Sequence, residues 1–105
     1  MSKVRKQAIK KDLRILSPKL YHFIVNELAE HHIHAYDLLL NGQKTDTETV
    51  EVTIRFGDGF AQAATESFSF EMIESLSSEV SEFANTTAET CKKTLKADYF
   101  KRMAP

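Results

Sequence analysis

The alternation across residues 49–56 constrains this chain more than any other feature. Val50, Val52, Ile54 and Phe56 fall on one side, and Glu51, Thr53 and Arg55 on the other. That period of two is what a strand with one buried face requires. Gly57, Asp58 and Gly59 follow at once. Glycine accepts positive φ without steric penalty, so the chain is expected to reverse there. Phe60, Ala64, Phe68 and Phe70 keep a single parity in the next run, interrupted by Gln62 and Glu66. The pattern predicts a hairpin of strands at 49–56 and 60–68, with Phe56, Phe60 and Phe68 as core residues.

Helical spacing governs the flanks. Ser17 and Pro18 form a start signal, a capping hydroxyl followed by a residue that needs no N–H partner at the first helical position. Leu20, Ile24 and Leu28 then recur every fourth residue, predicting a helix over 18–31. Upstream, residues 3–14 read as a short basic helix with Val4 and Ala8 on one side. Residues 33–40 are compatible with a strand or with more helix; the strand is preferred, with Asn41 and Gly42 ending it. Ser69 is expected to cap a helix bearing Ile73, Leu76, Val80 and Phe83 as a stripe. Residues 85–87 then interrupt, and Thr86 with Glu89 matches a capping box that opens a last helix. That helix runs to about Arg102, with Cys91, Leu95 and Tyr99 or Phe100 inward. The order predicts a single α+β domain over 1–105: an antiparallel meander of two to three strands (about 33–40, 49–56 and 60–68) between N-terminal and C-terminal helices, with a basic helix or arm at 1–16.

At 105 residues the chain supports one modest core and little room for a deep substrate cavity. It has no apolar run long enough to span a bilayer, and no apolar stretch follows the basic start as a secretory signal demands. Cys91 is its sole cysteine, so no internal disulfide forms. A cytoplasmic setting is expected.

The formal net charge of −1 conceals a segregation. Residues 1–19 carry seven basic side chains against Asp12, a net +6. Residues 20–90 carry thirteen acids against Lys44 and Arg55, a net −11, and residues 91–105 return to +4. One reading is internal: an acidic helix near 71–83 lies beside a basic helix near 92–102, in exposed ion pairs worth roughly 0–1 kcal/mol each. The others are functional. An acidic face of Glu71, Glu74, Glu79 and Glu82 would steer a basic protein partner. Alternatively Lys3, Arg5, Lys6, Lys10, Lys11, Lys92, Lys93 and Lys96 would neutralise nucleic-acid phosphates, although Tyr99 and Phe100 are the only aromatics near them. Complementary helices of two copies could also pair into a homo-oligomer.

Catalytic chemistry finds little footing. His31, His32 and His34 cluster, with His22 upstream, yet no Cys or acid stands at finger or zincin spacing. The simpler reading is a polar helix end that interacts with the dipole. Cys91 would fall in the second turn of a helix capped by Thr86, where a packed thiol is the simpler reading than a nucleophile. The 57–59 turn lacks the Lys-Ser/Thr of a phosphate loop. No catalytic residue, metal or cofactor is expected.

The stretch Pro-Lys-Leu-Tyr-His-Phe-Ile-Val-Asn-Glu-Leu-Ala-Glu at 18–30 resembles an early helix in small anti-restriction proteins of T-even-type bacteriophages. The resemblance implies a phage or mobile-element accessory protein in the host cytoplasm. Proteins of that family are similar in size and mimic DNA with surface carboxylates; this chain departs from them in its basic ends. The expectation is a non-enzymatic binding protein that inhibits or adapts a host or phage protein through charged helical surfaces.

Overall fold

The computed structural model describes residues 11–103. Four antiparallel strands form one sheet in sequence order: β1 (Lys11–Asp12), β2 (Leu39–Lys44), β3 (Thr49–Phe56) and β4 (Gln62–Ser69). Helices α1 (Leu13–Leu16), α2 (Pro18–Ala29), α3 (Phe70–Ser75) and α4 (Ser78–Met103) complete an α+β fold. Val50, Val52, Ile54 and Phe56 are at most 2% exposed, as the alternation requires. Thr53 on the opposite face is also buried, and its hydroxyl lies 3.3 Å from that of Thr65 across the ladder.

The α2 stripe is realised. Leu20, Ile24 and Leu28 are fully buried, and the Ser17 hydroxyl accepts the Leu20 N–H at 3.3 Å. The helix stops at Ala29, short of the expected residue 31. The Ile33 N–H returns to the Leu28 carbonyl, and His32 takes a positive φ of 66° to close that turn.

Several expectations need correction. Of the basic helix at 3–14, residues 3–10 lie outside the described residues. Lys11 and Asp12 are extended and paired with Gly42 and Asn41, and only Leu13–Leu16 is helical, capped by the Asp12 carboxylate on the Arg14 N–H at 2.9 Å. The strand expected at 33–40 begins at Leu39, after a 3-10 turn at Ala35–Asp37. Asn41 and Gly42 do not end it; they sit inside it. The reason is packing. A Cβ on Gly42 would lie 2.6 Å from Leu16 Cδ2 and 3.1 Å from Leu13 Cδ1, so this glycine admits α1 onto the sheet.

The 60–68 strand begins two residues late. Residues 58–60 form a 3-10 turn in which Phe60 has φ 55° and is 38% exposed, so it is not a core residue. The helix boundary near 85–87 is absent. The break falls at Leu76, which adopts a left-handed conformation (φ 49°, ψ 58°) as C-cap of α3. From Ser78 the chain is helical for 26 residues. Thr86 and Glu89 lie inside α4, and the Thr90 hydroxyl donates to the Thr86 carbonyl at 3.1 Å. Ser69 does cap α3, accepting the Met72 N–H at 3.1 Å. Ile73 and Val80 are buried, while Leu76 and Phe83 pack half-buried at the edge of the core. Tyr99 is outward, at 54% exposure.

Candidate functional site: the acidic seam between β4 and α4

The buried stripe of α4 is Val80, Ala84, Thr87, Ala88 and Cys91. Small residues at four of these five positions let the long helix lie close to its neighbours. Its buried stripe leaves a flank of α4 facing β4, where Glu79, Glu82, Phe83 and Thr86 meet Glu66 and Phe68 around a depression of about 270 Å³. The Phe68 and Phe83 rings form its floor, edge to face at 5.5 Å between centroids. Edge-to-face packing places the positive rim of one ring against the negative face of the other.

Three carboxylates stand around that floor. Glu66 occupies the inward parity of β4, directly across from fully buried Val52. Glu79 lies in the first turn of α4, where the unsatisfied N–H groups of a helix favour negative charge. Its own backbone N–H holds its carboxyl below the usual carboxylate value, with the Ser78 hydroxyl assisting at 3.4 Å. Among the described residues, no ion pair engages Glu66, Glu79 or Glu82.

The four glutamates expected to form one face therefore divide. Glu79 and Glu82 belong to the seam. Glu71 and Glu74 lie on α3, exposed, and Glu74 is paired with Lys19 of α2 at 3.9 Å. Lys19 also donates to the Glu74 backbone carbonyl. Glu66 was missing from the expected face. Its signal was nonetheless present, as a charged residue at an apolar parity of a strand.

The seam continues toward the β3–β4 turn. Asp58, Ala61, Gln62, Thr94 and Asp98 border a second depression of about 240 Å³, and Asp98 accepts the Asp58 backbone N–H at 3.0 Å. Tyr36, Asp37, Phe60 and Leu95 border the adjoining hollow. Acids thus stand at both ends of one boundary between strand and helix.

The acidic helix expected near 71–83 is divided between α3 and the start of α4, and the basic helix expected near 92–102 is the second half of that same α4, so the two do not lie side by side. Glu79 in the first turn of α4 has the sign that the helix dipole favours there, while Lys92, Lys93 and Lys96 lie in its second half, short of the last turn. Lys92 reaches Glu89 at 3.4 Å, and Glu89 also lies 3.8 Å from His31 Nδ1. Lys93 and Lys96 are exposed, as is Lys11 on β1; Lys3, Arg5, Lys6 and Lys10 fall outside the described residues.

The histidines disperse in role. His31 faces Glu89, and His34 stacks on Tyr36 with rings 5.1 Å apart and 6° from parallel. Among the described residues, no group of three or more His, Cys, Asp or Glu side chains is placed to hold a metal. Cys91 is not near a helix start but deep within α4 and fully buried. Burial, with the nearby Asp37 charge adding to it, pushes the thiol up to about 11. It is a packed apolar group in the reduced form. No helix among the described residues is long and apolar enough to cross a membrane. No protein-family model matches the chain, and neither the curated proteins nor the solved structures contain a match to it.

Proposed function

We propose that this chain is a non-enzymatic binding protein that engages a basic segment of another protein along the β4–α4 seam. The observation that carries the reading is the trio Glu66, Glu79 and Glu82 around the Phe68–Phe83 floor, with no ion pair among the described residues engaging any of the three. Carboxylates around an apolar floor suit a Lys or Arg side chain, whose aliphatic stem packs on the rings while its charged head meets the rim. Such a surface also steers a positively charged partner during encounter. The resemblance of the 18–30 helix to phage anti-restriction proteins supports a role as inhibitor or adaptor of a host protein, in a phage or mobile-element setting.

Affinity capture from bacterial lysate with the wild-type chain and a Glu79→Lys/Glu82→Lys variant tests the reading. A partner retained by the wild type and lost by the folded variant is expected, with retention falling as salt rises. Equal retention by both, or enzymatic turnover by the purified chain with no partner retained, would overturn it.

A second reading rests on Lys92, Lys93 and Lys96, on two adjacent flanks of α4 and all exposed. A row of lysines along a helix can neutralise phosphates at a cost in salt sensitivity. Filter binding with duplex and single-stranded DNA at low salt decides it. Absence of retention removes this reading and leaves the first intact.

A further inference from the structure

β4 is the last strand of the sheet, and among the described residues no strand pairs with its outer side. Alternate residues of such a strand direct N–H and C=O groups away from the sheet, a template for one more strand. The edge is eight residues long, holds no proline or lysine, and is exposed at Gln62, Ala63, Thr65, Glu66 and Ser67. The opposite side of the sheet is treated differently: β1 pairs with β2 there, and α1 packs over Gly42.

Glu66 is the one charge on this edge; it sits at the inward parity of the strand, across from Val52, and is exposed at the rim of the seam. An inward charge on an edge strand discourages pairing with apolar strands. It also discourages pairing of β4 with β4 of a second copy, because each copy would bring its own Glu66, Glu79 and Glu82. A strand carrying a cation at the facing position reverses the sign of that interaction. Four residues along β4, about 13 Å at strand rise, Gln62 occupies the same parity, beside Asp58 and Asp98. α4 runs the opposite way alongside, its Thr86 and Thr94 about 12 Å apart at helical rise.

The geometry points to strand addition: β4 takes an extended segment of a partner protein as a fifth strand, with Lys or Arg at two positions four residues apart. One cation faces Glu66, Glu79 and Glu82, and the other faces Asp58 and Asp98. This rests on the seam being the contact surface and adds how the partner is held. Main-chain bonds to the edge supply affinity, and the spacing of the two cations supplies selectivity.

The probe is an acetylated, amidated nonapeptide, Thr-Thr-Arg-Thr-Val-Thr-Arg-Thr-Thr, titrated into the full chain at low salt. Two further forms carry N-methyl groups at the odd or the even central positions, and a fourth has Glu in place of both Arg. The parent peptide is expected to bind and to slow hydrogen exchange at alternate β4 amides. One N-methyl form is expected to lose at least tenfold in affinity while the other retains it. The Glu peptide and the Glu66→Lys chain are expected to lose at least tenfold as well. Equal binding of the two N-methyl forms overturns strand addition while leaving the acidic seam as a contact surface. So does failure of the parent peptide when lysate capture still depends on Glu79 and Glu82. A dimer in sedimentation that already protects the β4 amides without peptide assigns the edge to a second copy and overturns the proposal.

Discussion

The Asp98 carboxylate accepts the backbone N–H of Asp58 at 3.0 Å, joining α4 to the β3–β4 turn across forty residues of sequence. Charged acceptors make the stronger hydrogen bonds. Asp98→Ala should therefore cost about 1–2 kcal/mol and accelerate hydrogen exchange at the Asp58 amide more than at β3 amides. Urea unfolding and native-state exchange measure the two effects. An unchanged Asp58 exchange rate in the variant would show that the turn is held by its own backbone.

The same turn separates its glycines. Gly57 has φ 86° and ψ −179°, a region open to glycine almost alone, and a Cβ there would lie 3.1 Å from Thr94 Cγ2. Gly59, at φ 65° and ψ 18°, is left-handed with nothing within 4 Å of a Cβ. Gly57→Ala should cost about 2–3 kcal/mol, Gly59→Ala about 1 kcal/mol, and Gly59→Asn less. Chemical denaturation that ranks Gly59→Ala as the more damaging would contradict this geometry.

Continuity of α4 through 85–87 has a clear signature. Thr86 is exposed within the helix, so Thr86→Ala should raise stability by up to about 0.5 kcal/mol through helix propensity. A capping role would instead lose about 1 kcal/mol. The sign of the change in urea midpoint decides between them.

Cys91 ties stability to alkaline pH. The folded chain holds its thiol proton to about 11, against 9.0 for the ordinary group. Between those values the native state binds more protons than the unfolded chain. Stability is thus fully present below pH 9 and falls as pH rises toward 11, by up to about 1.4 kcal/mol for each pH unit from this group. The difference between wild type and Cys91→Ala in urea unfolding at several pH values isolates the contribution. A difference independent of pH would sink it. In the folded state at pH 8 the thiol should also react with a disulfide reagent only through unfolding.

How much of this was legible in the sequence depended on whether the deciding contacts were local. The buried face of β3, the α2 stripe and the Ser17 and Ser69 caps follow from spacing and from hydrogen bonds within three residues, so sequence reading located them. The break at Leu76 is hidden from the sequence because apolar periodicity passes through a left-handed cap without interruption. The 85–87 run reads as a break, but helix propensities of tenths of a kcal/mol yield to burial of Thr87 and Ala88.

The sequence by itself determined an α+β chain, the β3–β4 reversal at residues 57–59 and the segregation of charge. Only the tertiary structure decided which carboxylates meet. Glu66 joins Glu79 and Glu82 because α4, narrow at Ala84, Thr87 and Ala88, settles beside the edge strand with its acidic flank toward β4. Glu71 and Glu74 are carried elsewhere by the turn at Leu76. Side-chain convergence across a sheet edge arises from packing between segments distant in the chain, and periodicity within one segment holds no record of it.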